Sequence, residues 1–578
     1  MKRNLAKTLV LLLAAVLALS ACTRGEGTPT TEPTHAPGTT QSTATTAPTE
    51  TEAPAFDHDP NLNDPGVLPI CKETVKLTIG LTENANVLDY ETNDMTKLIE
   101  EQGNFDLEFQ FYSSEMTTQI NTVVAGGAFD DLPDVILRAP GDAYVYQWGQ
   151  AGAIIPLNDY YEHSAYHLNI AKERTGVDFI PMITSPDGNI YGIPSYNQSL
   201  GNENPGKVWV YKPWLDALGI EIPKTVDEYK EMLVKFKNED PNGNNKADEI
   251  PLLGKPYALT APWIQGLVPA WQFVGNSHFV NNNGQVGVFY NTDGYREALK
   301  YIHSLIEEGL IPDYQFTLDI TMYNNLAGNA EIAIVGSIID SGTTVTQRVE
   351  DYIGIAPLKQ ADGTGYVSFV PSVANIAFMI SAGCETPEAA FRLGDLLVSE
   401  DLSIMTRWGN QGQHWDYLKD VELDMSQYEA WYEEAGFPGY VIIHEDPWGI
   451  VQNFHWYQAG PFIRQYGIAA GRVVPKGQIN SEFMIAQCIP HYLTATAAGS
   501  KDMAIPKLIY TTEETNATTE TLANLQSYVT ESTASFCMGQ LDIHDDAAWQ
   551  AYLDELDAIG LPEVLDVAQT VFDRMYGG

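Results

Sequence analysis

Between residues 75 and 137 the chain switches its hydrophobic period repeatedly, and that rhythm leaves few folds open. Val75-Lys-Leu77-Thr-Ile79 alternates apolar and polar residues, the period of a half-buried strand. From about Thr92 to Glu101, Met95, Leu98 and Ile99 recur at helical spacing. Leu107-Glu-Phe109-Gln-Phe111 alternates again, a second helical pattern runs from about Glu115 to Ala125, and Asp134-Val-Ile-Leu137 is a short apolar strand behind Pro133. Strand, helix, strand, helix, strand predicts a parallel sheet with helices on its faces, joined by right-handed crossovers. The alternation resumes downstream. Lys207-Val-Trp-Val-Tyr211 reads as a strand. Thr225-Val-Asp-Glu228 is a capping box, and the helix it opens turns Val226, Tyr229, Leu233 and Phe236 inward. Thr386-Pro387-Glu388 opens another helix, with Pro at its first position and Ala390, Leu393 and Leu397 on the core face. No internal repeat of about 20–50 residues is present.

The start of the chain has a different character. Lys2, Arg3 and Lys7 precede an apolar run from Leu9 to Leu19, and Leu19-Ser20-Ala21-Cys22 closes it with small residues. Basic, apolar, then small is the order of a secretory signal. A cysteine directly after the small pair resembles a bacterial lipobox. Residues 1–21 are therefore expected to be a lipoprotein signal peptide, with Cys22 as the lipidated first residue. The apolar run is only about half the roughly 20 residues a membrane span needs. Residues 22–56 read as a flexible tether. Within 28–54, eleven of 27 residues are Thr and five are Pro, a composition that cannot bury enough apolar surface to offset its own ordering entropy. Such a segment reaches at most about 100 Å. The expected location is the extracellular face of the cell membrane, held by the lipid at Cys22.

After the tether about 520 residues remain, enough for two or more lobes with substantial cores. The formal charge is −45, and a surface this acidic repels nucleic acid and anionic lipid. Beyond Cys22 only Cys71, Cys384, Cys488 and Cys537 remain, without C-x-x-C spacing or neighbouring His at zinc-ligand distance. Both one or two disulfides and buried free thiols are compatible with that count.

One loop has the pattern of a cation site. In Asp240-Pro-Asn242-Gly-Asn244-Asn245-Lys246-Ala-Asp248-Glu249, oxygen-bearing side chains recur at alternate positions, as in the front half of a calcium loop, where the chain curls around the ion. Asp240, Asn242, Asn244, Asp248 and Glu249 would ligate by side chain and Lys246 by its carbonyl. The twelfth position, where an EF-hand carries Glu, is Pro251; Glu249 can supply that carboxylate from another angle. Asn245 stands at the sixth position, where a residue tolerant of positive φ is needed. Three carboxylates on one divalent ion fit a structural Ca2+ site. A surface turn without metal is the competing reading.

Residues 207–251, with Trp214-Leu-Asp-Ala-Leu-Gly219, Pro223-Lys-Thr-Val-Asp-Glu-Tyr229 and Asp240-Pro-Asn-Gly-Asn through Ile250-Pro251, closely resemble extracellular solute-binding proteins of ABC importers. The large lipoprotein-type carbohydrate binders, including the alginate-oligosaccharide branch with its calcium loop, are the nearest in pattern. Leu132-Pro-Asp134, Gly152-Ala-Ile-Ile-Pro-Leu157, Tyr191-Gly-Ile-Pro194, Pro387-Glu-Ala-Ala-Phe-Arg392, Arg407-Trp-Gly-Asn-Gln-Gly412 through Trp415, Gly539-Gln-Leu-Asp542 and Gln569-Thr-Val-Phe-Asp573 agree in order. The resemblance spans roughly residues 73–576. It departs at Gln411, where the family usually has an acidic residue. It implies an α/β, two-lobed periplasmic-binding-protein-like fold of type II, each lobe a mostly parallel sheet flanked by helices, joined by a hinge. Lobe 1 would hold 73–192 plus about 352–405, and lobe 2 about 193–351 plus 406–578, with hinge crossings near Tyr191–Pro194 and Ala356–Leu358. It also implies a monomer that captures a sugar or oligosaccharide in the interlobe cleft and hands it to the permease of an ABC importer, without catalysis.

Aromatic side chains suit such a ligand, because a sugar ring has an apolar C–H face. Tyr144, Tyr146 and Trp148 follow the third strand, where ligands of open α/β sheets sit. Trp271, Trp408, Trp415, Trp448 and Trp456 are further candidates, and Arg138 could grip a uronate or sulfate. For any single Trp, core packing is the competing role. A peptide or other small solute is the alternative ligand. A secreted glycan-active enzyme or a surface adhesion module is the alternative class, but no G-x-S-x-G, H-E-x-x-H or phosphate-binding glycine loop occurs.

Overall fold

The computed structural model describes residues 56–577, apart from 139, 260, 276–277, 329–330, 343–347, 431–437, 444–447, 466–470, 478–480, 489 and 493–498. The leader, the lipidation site Cys22 and nearly all of the tether lie outside the described residues. Among the described residues no helix is long and apolar enough to cross a membrane.

Strands β1 (Val75–Thr82), β2 (Phe105–Tyr112), β3 (Val135–Leu137), β4 (Ile193–Asn197), β11 (Asn375–Ile380) and β15 (Ile463–Arg464) form one sheet in the order β15-β4-β11-β3-β1-β2. β1 runs parallel to β2 and β3, as the strand–helix rhythm predicts, and β15 runs parallel to β4. β11 enters antiparallel between β3 and β4, so the sheet is mixed. Strands β5 (Lys207–Tyr211), β6 (Ile250–Gly254), β9 (Val335–Asp340) and β10 (Tyr352–Gly354) form a second sheet, β10-β5-β9-β6. Here only β6 and β9 are parallel, which corrects the expectation of a mostly parallel sheet in each lobe. All residues of β5 and β9 are buried, as strands covered on both faces require. A hairpin, β7 (Phe279–Asn282) with β8 (Gln285–Val288), and a small sheet of β12 (Trp415–Tyr417), β13 (Tyr428–Glu429), β14 (Tyr440–Ile442) and β16 (Arg472–Pro475) complete the strands.

Each large sheet has its own hydrophobic core. Leu77, Ile79, Ile136, Phe378 and Leu393 belong to the first, and Trp209, Tyr229, Phe236, Leu253 and Ile338 to the second. This is the two-lobed α/β architecture expected. The residue bounds differ from the expected ones. Ile193–Asn197 pairs in the first sheet because Ile193 and Ser195 take their ladder partners from β11. Tyr352–Gly354 pairs with β5, and Ile355, Leu358, Val367 and Phe369 pack in the second core. The return crossing therefore falls between Phe369 and Ala374, not near residue 352. Trp456, Ala459 and Ile463, expected in the second lobe, pack in the first core.

Local chemistry explains the helix starts. The Asn93 side chain accepts from the Met95 amide to cap Asp94–Gly103, and both halves of the Thr225–Glu228 capping box form on Val226–Asn238. The helix Pro387–Leu397 is buried on every side rather than on one. Its charged residues are consequently all partnered. Glu388 accepts from the Asp59 amide and Ser164, Asp395 accepts from the amides of Tyr166, His167 and Leu168, and Arg392 donates to the carbonyls of Asn63 and Asp64. Phe56, expected as the last tether residue, stacks on His163 at 4.8 Å.

Candidate functional site

Strand directions single out one edge of each sheet. β1, β2 and β3 point the same way, and β4 and β15 join them because β11 is antiparallel to both β3 and β4. From this carboxyl edge the chain leaves β4 at Asn197 to start β5 at Lys207, and it returns from the second core to enter β11 at Asn375. In the second sheet Asp340, the end of β9, lies opposite Lys207, and Gly254, the end of β6, lies beside Ile339. The carboxyl ends of both sheets thus gather where the chain crosses, the place where open α/β sheets bind ligands.

Side chains at this crossing are polar and tied together. Lys507, in a stretch whose neighbour Ile505 packs in the second core, reaches the first sheet: its Nζ lies 2.8 Å from Asp142 Oδ1, 3.1 Å from the Ala374 carbonyl and 3.5 Å from Asn375 Oδ1. On the second sheet Lys255 pairs with the fully buried Asp340 at 2.8 Å. Burial pushes the Asp340 carboxyl up, although Lys255 opposes it. Burial also pulls Lys207 down to about 8. Sequence reasoning missed Lys507, Asp142, Lys255 and Asp340. The last two each close or directly follow a strand, a position that becomes readable only once β6 and β9 are assigned.

The proposed aromatic residues divide sharply. Tyr144 is exposed and Tyr146 half-buried, on the helix Asp142–Gln150. Trp148 is on the inward face of that helix: it is 1% exposed and donates its indole N–H to Asn121 Oδ1 at 2.7 Å. Trp456, also 1% exposed, donates to Thr96 Oγ1 at 2.8 Å and meets Phe109 edge-on. Both are core residues, which corrects their reading as ligand platforms; Val145 and Trp148 are three apart and share the buried side of one turn. Trp271 lies half-buried against Tyr301 on the second core. Trp408 and Trp415 are nearly buried, but with Glu400, Tyr417, Tyr440 and Gln465 they line a small open pocket. Trp448 is 40% exposed, yet Tyr457 stacks on it at 4.1 Å and 12°, with the Arg407 guanidinium 4.4 Å from its ring centre. Two groups at those distances cannot share one face, so both faces of Trp448 are covered. Gln411 donates its amide to Asp416 Oδ1 at 2.9 Å, a bond no carboxylate at that position could make.

Arg138 directly follows β3 and is exposed. Its backbone is left-handed, φ +62°, and is held by an amide bond to the Ala377 carbonyl at 2.8 Å.

The loop 240–249 connects the helix Val226–Asn238 to β6 and so lies at the opposite end of the second sheet from the crossing. It is tightly curled. Asp240, Gly243 and Asn245 all have positive φ. Asp240 carboxylate oxygens accept from the Asn244 and Asn245 amides, and Asn244 Oδ1 accepts from the Lys246 amide. The Asn242 and Asn244 amides donate to Asp248, holding its carboxyl below the usual range. Glu249 Oε1 is buried with no hydrogen-bond partner, and burial, reinforced by the charges of Asp240 and Asp248, pushes that carboxyl up. Among the described residues no three His, Cys, Asp or Glu side chains converge closely enough to hold a metal unaided. The donor set here instead mixes carboxylates, amide oxygens and a carbonyl, which is the hard-oxygen set that suits Ca2+, and the unpartnered Glu249 oxygen is the acceptor such an ion would satisfy.

No family model matches the chain. It is 31% identical over 243 residues to the fructooligosaccharide ABC transporter substrate-binding protein FusA of Streptococcus pneumoniae, covering 39% of this chain and 42% of that protein. It is 27% identical over 244 residues to lipoprotein LipO of Bacillus subtilis, covering 40% and 43%. The matched stretches thus span less than half the length of these relatives. Solved structures extend the likeness in fold. An extracellular solute-binding protein from Bifidobacterium longum subsp. infantis superposes with a TM-score of 0.67 at 22% identity, covering 87% of this chain and 98% of that one. FusA in complex with kestose gives 0.60 at 22% identity over 87% and 100%, a FusA EF-hand mutant gives 0.58 at 22% over the same shares, and the alginate-binding protein AlgQ2 without calcium gives 0.57 at 20% over 87% and 98%. In sequence over part of its length, and in fold over most of it, the chain is similar to the solute-binding proteins of carbohydrate ABC importers.

Proposed function

We propose that the protein is a lipid-anchored extracellular solute-binding protein that captures a sugar or oligosaccharide between its lobes and delivers it to the permease of an ABC importer. The carrying observation is the crossing itself. The carboxyl ends of both sheets meet there, bridged by Lys507 and Asp142, with Tyr144 and Arg138 exposed on the first lobe. A ligand touching both lobes would stabilise the closed form, a population shift that the permease can read. The first lobe is taken as the sheet β15-β4-β11-β3-β1-β2 with its core, the second as β10-β5-β9-β6 with its core. The likeness to substrate-binding proteins of ABC importers favours binding over turnover. The 240–249 loop would hold a structural Ca2+ through Asp240, Asn242, Asn244, Asp248, Glu249 and the Lys246 carbonyl, away from the cleft. Cys22 would carry the lipid, and the protein would act as a monomer.

A thermal-shift screen of the protein with calcium, against neutral and acidic oligosaccharides and short peptides, tests this reading, with each hit checked for cleavage. Stabilisation by an intact glycan is expected. Stabilisation by peptides alone, or release of shortened glycan, would refute it.

A further inference from the structure

Charge is scarce on the basic side of this chain, with 31 Lys and Arg against 76 Asp and Glu, so an uncompensated cation stands out. Among the described arginines, Arg174, Arg296 and Arg574 pair with carboxylates, Arg392 donates to carbonyl oxygens, and Arg407 and Arg464 lie over aromatic rings. Arg348 and Arg472 are engaged as well. Arg138 alone among them has no ion pair, side-chain hydrogen bond or ring contact. Lys507, at the same edge, is already neutralised by Asp142.

Arg138 is also held in place. Its left-handed backbone is one that residues other than Gly, Asn and Asp seldom adopt, and strain of that kind concentrates at ligand sites. Two groups near it complete the surroundings. Tyr90 is buried, and its hydroxyl feels both the Arg138 and the Glu83 charge. The helix Asp142–Gln150 begins just beyond, behind Gly141, with no side chain capping its first amides. Phe111, near the end of β2 on the far side of β1, and Tyr144 expose apolar ring surface at the same edge. A planar cationic fork beside exposed rings fits a sugar that carries a carboxylate: the rings take its C–H face and the guanidinium takes both carboxylate oxygens.

We propose that Arg138 is the anion-recognising residue of the cleft and that the ligand is an acidic oligosaccharide, its uronate carboxylate bound by the Arg138 guanidinium. This rests on the reading of the protein as a sugar-capturing one. It also gives so acidic a protein one point of attraction for an acidic ligand, a guanidinium that no carboxylate of the chain pairs with.

The test is isothermal titration of the purified full chain with uronate trimers (galacturonate and mannuronate) and neutral trisaccharides (kestose and maltotriose), at low and high salt. The variants are Arg138→Asn and Arg138→Gly, both of which accept positive φ, with their melting temperatures as folding controls. The expected result is a uronate trimer bound tighter than any neutral one, more weakly as salt rises. Both variants should lose about 10- to 100-fold for the uronate while their folding is unchanged. A neutral trisaccharide bound as tightly as the uronates, or uronate binding that survives both substitutions, would overturn the assignment of Arg138. A neutral ligand bound equally by all three proteins would do so while leaving sugar capture intact; binding of neither class would overturn both.

Discussion

The 240–249 loop makes a prediction whose sign depends on whether it holds an ion. Glu249 has a buried oxygen without a partner and a carboxyl raised by burial and by Asp240 and Asp248. Without an ion, its charge opposes folding. A carboxyl whose folded pKa lies above its unfolded value contributes stability below the unfolded pKa, near 4.5, and loses it as pH rises through the folded value. Metal-free protein should therefore lose stability as pH rises above that value, and Glu249→Gln should stabilise it. With calcium the order inverts, because the ionised carboxylate is now a ligand. An ion at 1 mM with a dissociation constant of about 1 μM stabilises by about 4 kcal/mol. At about 2.1 cal/mol/K of unfolding entropy per residue, this is about 4 °C if the whole folded part melts together and about 8 °C if one lobe melts alone. The assay is differential scanning fluorimetry of wild type and Glu249→Gln in calcium and in chelator, from pH 5 to 8. Calcium should raise the wild-type melting point, more at pH 8 than at pH 5 because protons compete for the ligands. Glu249→Gln should show little calcium response. A wild-type shift below about 1 °C between verified metal-free and calcium-loaded protein would refute the site.

Three further perturbations follow from the geometry. The Lys507 side chain is 9% exposed and Asp142 30%, so a double-mutant cycle of Lys507→Met and Asp142→Asn should give a coupling of about 1–3 kcal/mol in urea unfolding; a value below about 0.5 kcal/mol would show that the bridge between the two lobes is decorative. Trp148→Ala should cost about 3–5 kcal/mol of stability without altering ligand affinity of the folded protein, whereas Tyr144→Ala should leave stability within about 0.5 kcal/mol and weaken binding; the reverse pattern in titration and melting experiments would invert their assignment. Cys22→Ser should move the protein from the membrane fraction to the medium, and persistent membrane association on cell fractionation would point to another anchor.

The parts legible in the sequence were those where one local rule acts alone. β1, β2 and β3 with their intervening helices follow from period alone, and the Thr225–Glu228 box forms as written because its two hydrogen bonds need only residues three apart. The reading failed where a distant segment decides. β11 (Asn375–Ile380) inserts antiparallel between the distant strands β3 (Val135–Leu137) and β4 (Ile193–Asn197), and no periodicity in Asn375–Ile380 reveals that direction. The helix Pro387–Leu397 shows three charged residues that read as a solvated face, yet residues 58–64 and 164–168 cover it and supply every partner. Burial of a charged helix face is paired long-range, so its signal is divided between segments that cannot be aligned without the fold.

The aromatic residues expose the same limit in the site. Trp148 and Tyr144 are four apart on one helix, yet one is core and the other solvent-facing, because Trp148 shares a turn with Val145 and finds Asn121 for its N–H. Trp456 is buried for the same reason, with Thr96 as its partner. A tryptophan with a polar partner for its indole loses little by burial, so abundance of Trp says nothing about where a sugar would stack. Arginine behaves oppositely. Its burial demands a partner, so in a chain this acidic nearly every described guanidinium finds one. The informative residue is then the guanidinium left over at the end of β3, because in a protein with more than twice as many acids as bases an exposed cation that no carboxylate has claimed stays open to a ligand's negative charge.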